Sequence, residues 1–121
     1  MTSPLTAEVM DEAQWLLLAE LSHGDRWVFW IVSSEWPTVD QFLKHDVNPC
    51  RVLLIHRLPG SNPSPIIERA LQAGTCSAVL VSLDSSAVIE DKAMMRIERI
   101  ARDFDALAIP LHTRTTLNLA A

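Results

Sequence analysis

The chain has 121 residues, enough for one domain of ordinary size but not for two. Its composition is globular, with 49% apolar and 21% charged residues, so it can bury a core without a disulfide or a metal. The formal net charge of −5 argues against duplex-DNA binding, because neutralising phosphates requires clustered lysines and arginines. We therefore expect a single domain over residues 1–121 that does not use nucleic acid as its partner.

The apolar runs are all far shorter than the roughly 20 residues that span a bilayer. The segment Met1–Glu12 is acidic and has no basic start, so it does not resemble a secretory signal. The only two cysteines, Cys50 and Cys76, are expected to be free thiols, since nothing indicates export. These features predict a cytoplasmic protein without a membrane span.

The first half of the chain predicts helix, strand, helix, strand. The apolar spacing over Thr6–Leu21 indicates a helix within an amino-terminal segment, residues 1–24. Trp27–Val32 has the aromatic and β-branched residues of a strand that is apolar on both faces. Pro37 then begins a short helix whose apolar side is expected to carry three residues, and Arg51–His56 forms a second strand. The three residues are Val39, Phe42 and Leu43.

The second half continues the alternation. Ser64 is the expected N-cap of a helix that ends at Gly74. A strand over Ser77–Leu83, a long helix that carries Ala93 to Phe104, and a strand over Ala106–Leu111 follow. Residues 112–121 are expected to form a frayed tail. Four strands separated by helices predict an α/β fold with a parallel sheet and flanking helices.

No catalytic constellation is visible in the sequence. A phosphate-binding P-loop requires closely spaced glycines and a lysine, and the three glycines are not in that frame. Glu35 follows the first strand but has no histidine or lysine placed to complete a site. The four histidines and two cysteines lack the usual spacing of zinc ligands. We expect a binding protein with no enzymatic activity, cofactor or metal.

Three stretches carry a resemblance to a known family. They are Arg26–Val32, Pro49–Leu53, and the helix and strand from Glu68 to Leu80. The first is similar to the R-W-x-φ-W-φ strand of the SulA inhibitors of bacterial cell division, where φ is apolar. The third matches a helix, x-A-L-x-x-G turn and strand shared by SulA and RecA. The resemblance covers Gln14 to Arg114 and implies a RecA-like core without a nucleotide site.

This resemblance implies that the protein binds FtsZ, the tubulin-like GTPase of the division ring, and blocks its polymerisation and GTPase activity during the SOS response to DNA damage. Five positions are carried over as candidates for the partner face: Arg26, Trp30, Ile31, Phe42 and Arg51. Trp27 and Phe29 are expected in the core. The terminal Leu119, Ala120 and Ala121 resemble a signal for AAA+ proteases.

Two other functions remain open. A RecA-like accessory protein of translesion DNA repair, similar to ImuA, would share the same core. A small-molecule enzyme would need a pocket that assembles Glu35, Ser82 and Asp84. An exposed sheet edge could also support a homodimer through strand pairing.

Overall fold

The computed structural model describes residues 11–32, 37–58, 61–83 and 89–112. In these ranges strands and helices alternate as predicted. In chain order the elements are α1 (Glu12–Ser22), β1 (Trp27–Val32), α2 (Val39–Lys44), a 3₁₀ turn (Pro49–Arg51), β2 (Val52–His56), α3 (Ser64–Gln72), β3 (Cys76–Leu83), α4 (Asp91–Asp103) and β4 (Leu107–His112). No helix in these ranges is long and apolar enough to cross a membrane.

The strands form one parallel sheet in the order β2-β1-β3-β4. The predicted α/β fold with a four-stranded parallel sheet is therefore confirmed. The central strands β1 and β3 are apolar on both faces, as expected for strands buried from two sides. Strand alternation sends Val28 and Trp30 to one side of the sheet and Phe29 and Ile31 to the other.

Each side of the sheet has its own hydrophobic core. The first lies under α1 and α2, where Trp15, Leu18 and Phe42 meet side chains of the sheet. The second lies under α3 and α4, where Ile67, Leu71 and Ile97 do the same. The result is a three-layer domain with a pair of helices on each side.

Local chemistry explains where most helices begin and end. Asp11 with Gln14, and Thr38 with Gln41, form capping boxes at α1 and α2. Gly74 follows α3 with a φ of 74°, a left-handed conformation that glycine adopts at little cost. The predicted role of Gly74 at the helix terminus is confirmed.

Some predicted details are wrong. Ser64 does not cap α3 from outside: it is the first helical residue, and Pro63 occupies the cap position without a side-chain bond. On α2 only Phe42 is buried, whereas Val39 and Leu43 are exposed. Because α2 is only six residues long, only a narrow strip of its surface packs against the sheet.

The two edge strands differ in chemistry. Pro110 lies within β4 and supplies no backbone N–H, whereas β2 contains no proline. The helices α3 and α4 pack on β3 and β4, which leaves their side of β2 only partly covered. Leu53 on β2 is accordingly exposed.

Candidate partner-binding site

Arg26, Trp27 and Arg51 all lie at the amino-terminal edge of the sheet, where β1 and β2 begin. The Arg51 guanidinium lies over the Trp27 indole, with Cζ 5.8 Å from the ring centroid. Arg26 donates from Nη2 to the backbone oxygen of Asp105 at 2.9 Å and lies 3.8 Å from its carboxylate. We call Arg26, Trp27 and Arg51 the amino-edge cluster. It is a cationic and aromatic surface on a protein that is acidic overall.

Trp27 was expected in the core, and this prediction is wrong. The side chain is 39% exposed. Alternation along β1 places it on the same side as Phe29 and Ile31, but at the end of the strand and next to the poorly covered face of β2. The helices on this side therefore leave part of the indole open to solvent.

Trp30, Ile31 and Phe42 do not join this surface. They are 2%, 0% and 4% exposed. Trp30 donates from Nε1 to the Ser82 hydroxyl at 2.9 Å, and its ring lies 6.2 Å from those of Trp15 and Phe42. The expectation of direct partner contact at these three positions is corrected, because side chains so deeply buried present almost no surface. Of the five predicted positions, only Arg26 and Arg51 are accessible.

The carboxyl-terminal edge of the sheet, where α/β proteins commonly bind ligands, is only partly described. Ser82 is buried, and its hydroxyl accepts the hydrogen bond from Trp30. Glu35 and Asp84 lie outside the described residues. The structure adds Arg57, a buried arginine directly after β2. The sequence shows only a charged residue directly after an apolar strand, a pattern that does not by itself predict burial.

The two cysteines have different environments. Both are free, with Cys50 exposed and Cys76 buried. Burial raises the pKa of the Cys76 thiol, and the positive charge of Arg26 lowers this pKa to a smaller extent. Within the described ranges, no three His, Cys, Asp or Glu side chains form a group that could hold a metal ion. The predicted protease signal at Leu119, Ala120 and Ala121 lies outside those ranges.

These features define a small three-layer α/β domain whose parallel sheet carries an accessible arginine and tryptophan surface at its amino edge. Its fold is SulA-like. The structure is similar to that of SulA from Pseudomonas aeruginosa, with a TM-score of 0.67 and 21% sequence identity over 81% of this chain and 82% of that chain. No protein-family model and no curated protein matches the sequence. The predicted resemblance to SulA is confirmed for the fold.

Proposed function

We propose that this protein is a cytoplasmic inhibitor of bacterial cell division that binds FtsZ during the SOS response and blocks its polymerisation and GTPase activity without doing chemistry. The observation that carries the proposal is the SulA-like fold across most of the chain. The sequence stretches that resemble SulA, Arg26–Val32 and Pro49–Leu53, cover β1, the 3₁₀ turn and the start of β2, and they contain all three residues of the amino-edge cluster.

The amino-edge cluster has the composition of a protein-binding surface. Tryptophan and arginine dominate the energetics of interfaces, whereas lysine and glutamate contribute little. Trp27 offers a half-exposed ring that Arg51 already orients, so part of the side-chain entropy is lost before binding. We propose that Arg26, Trp27 and Arg51 contact FtsZ directly.

In this proposal the buried Trp30, Ile31 and Phe42 do not touch FtsZ but hold the binding surface in place. Trp30 and Phe42 fix β1 against α2, and Ile31 fixes it against α3 and α4. Substitution of these residues would weaken binding by displacing β1, the strand that begins at the cluster. Their effect on binding should therefore parallel their effect on stability.

The proposal is tested with FtsZ from the same organism. Purified protein is added to FtsZ and GTP, and polymer is measured by sedimentation together with the rate of GTP hydrolysis. We expect loss of both near equimolar protein. The double variant Arg26→Ala with Arg51→Ala should lose most of the inhibition, since hot-spot residues cost about 2 kcal/mol or more on truncation.

Arg99→Ala is the matched control, because Arg99 is an exposed arginine on α4. It should inhibit like the wild type. Unchanged polymer and GTPase rate with folded wild-type protein would refute the proposed function, and a test for binding to translesion repair proteins would come next. If Arg99→Ala lost as much inhibition as the double variant, the loss of positive charge in general would explain the effect, and the amino-edge cluster would have no special role.

We further propose that Leu119, Ala120 and Ala121 are a recognition signal for an AAA+ protease, so that the inhibitor is removed after repair. The double variant Ala120→Asp with Ala121→Asp should have a several-fold longer half-life in cells after a translation block. Immunoblotting measures this directly. A half-life equal to that of the wild type would refute the signal while leaving FtsZ inhibition untouched.

A further inference from the structure

An apolar strip runs along the side of β1 and β2 that faces α3 and α4. Phe29 lies beside Leu53 in the strand register, and alternation sends both to the same side of the sheet as Ile55. Leu53 is 47% exposed and Trp27 is 39% exposed, while Phe29 and Ile55 are half-buried. We call Trp27, Phe29, Leu53 and Ile55 the β2 strip. It continues the surface of the amino-edge cluster, because the two share Trp27.

The β2 strip is exposed because two helices cannot cover all four strands on this side of the sheet. A helix with its side chains is about 10 Å wide and covers roughly two strands. Helix α3 packs on β3 and α4 packs on β4, whereas β2 is the edge strand farthest from β4. The face of β2 beside α3 therefore has room for one more helix, which the described part of the chain does not supply.

The flank of α3 that borders this space is apolar and cationic. Glu68 is on the other flank, since its Oε1 lies 3.2 Å from Nε of Arg96 on α4. Ile66 comes two residues before Glu68 and is therefore about 200° away around the helix. Arg69 follows Ile66 by three residues and shares its face. Ile66 is half-buried and Arg69 is exposed, so an apolar side chain borders the strip and a cation lies above it.

Two arginines beside the β2 strip have no anionic partner among the described residues. Arg51 lies over the Trp27 ring, and no ion pair in the described ranges includes Arg51 or Arg69. All four loops that lead into the strands at the amino edge of the sheet lie within those ranges. The chain as a whole has a net charge of −5. Two uncompensated positive charges on an acidic protein favour an acidic partner at this place.

We propose that the β2 strip binds an amphipathic helix of the partner protein, with its apolar side on Leu53 and Ile55 and its acidic side chains toward Arg51 and Arg69. The bound helix would lie beside α3 as a third helix on this side of the sheet. A strand added to the edge of β2 would pair with its backbone but leave the exposed side chains of the strip in water. That the helix belongs to FtsZ rests on the proposed function, whereas its chemistry follows from the residues of the strip.

The first test uses a synthetic amphipathic helix as the probe. The peptide has leucines along one face and glutamates elsewhere, and it is about 18 residues long so that it is helical in water. A second peptide has lysine in place of every glutamate. Each is titrated into the isotope-labelled full chain, and nuclear magnetic resonance follows the methyl signals of Leu53 and Ile55 and the indole signal of Trp27. We expect saturable shifts with the glutamate peptide and roughly fivefold weaker binding of the lysine peptide.

Substitutions locate the binding surface. Leu53→Glu places a charge within the strip and should weaken binding of the glutamate peptide about tenfold, the effect of losing one buried leucine. Leu43→Glu is the matched control and should bind normally, since Leu43 is 63% exposed on α2, on the other side of the sheet. Arg69→Glu changes only an exposed side chain. It should remove the preference for the glutamate peptide, and it remains usable if Leu53→Glu does not fold.

The same variants are then added to FtsZ and GTP. Loss of inhibition by Leu53→Glu, with Leu43→Glu as active as the wild type, would support the helix site. If the wild type inhibits and Leu53→Glu inhibits equally well, the helix site is wrong and the proposed function stands. If the wild type does not inhibit but the glutamate peptide binds at Leu53, the proposed function fails and the helix site stands. Shifts confined to the backbone amides of β2, equal binding of the two peptides, or no binding would each overturn the helix site.

Discussion

Trp27 and Trp30 lie in the same strand and meet different surroundings. Trp30 is enclosed by Trp15, Phe42 and Ser82, whereas Trp27 is covered on one face by Arg51 and is otherwise partly open. The sequence presents them as one apolar run, so it could not separate the core residue from the surface residue. That distinction depends on which part of the sheet the helices cover.

The two tryptophans should therefore differ sharply in their contribution to stability. Trp30→Ala is expected to lower the free energy of unfolding by roughly 3–5 kcal/mol, because it opens a cavity in the core. Trp27→Ala should lower it by about 1–2 kcal/mol, since much of the ring is already in water. Urea unfolding followed by circular dichroism measures both. Equal losses would show that the placement of Trp27 at the surface is wrong.

Arg57 shows the limit of residue-by-residue prediction. A single arginine after a strand is usually solvated, and nothing in the sequence places it beneath Ser82 at the end of another strand. The contact depends on the pairing of β1 with both β2 and β3. Long-range contacts of this kind are set by tertiary structure, not by the local pattern.

Among the elements, α3 was predicted most fully because its signals are local. The helical spacing of Ile66, Ile67, Ala70 and Leu71 indicates its apolar side, and the last three are buried while Ile66 is half-buried. Gly74 marks where the chain leaves the helix. The exact start was missed because Pro63 and Ser64 are both common near helix starts, and spacing alone does not choose between them.

The backbone at Gly74 provides a test at this scale. Gly74→Ala should destabilise the protein by about 1 kcal/mol or more, because an L residue is strained at positive φ. A steric clash would not cause this loss of stability, since the nearest atom to an added Cβ would be Phe104 Cδ1 at 3.7 Å.

Gly24→Ala is the matched comparison. Its φ is outside the left-handed region, and the added Cβ would meet only the Leu21 oxygen at 3.4 Å, so its loss should be smaller. Chemical denaturation of the two variants gives the comparison. A larger loss for Gly24→Ala would contradict the assigned backbone conformation at Gly74.

For the whole molecule, the alternation of strands and helices was sufficient to predict a parallel sheet, and the structure confirms it. The order of the strands was not predicted, because each crossover can place the next strand on either side of the last. Strand order also determines which residues reach the surface, so the partner face could be predicted only in part: Arg26 and Arg51 are accessible, and Trp30, Ile31 and Phe42 are not.

The strand order predicts which strands exchange their amide hydrogens most slowly. Amides of β1 and β3 should exchange with deuterium most slowly, because both strands are paired on two sides and buried on both faces. Amides of β2 and β4 should exchange faster. Hydrogen exchange resolved by residue measures this, and an outer strand as protected as β1 would contradict the order.

The single proline in β4 has a consequence for self-association. A sheet can extend without limit only if every molecule offers two edges able to pair. Pro110 leaves β4 one backbone N–H short, whereas every residue of β2 keeps its own, so β2 is the outer strand better suited to pair with a second copy. If two copies paired through β2, each would then present only its proline-containing β4 edge to a third.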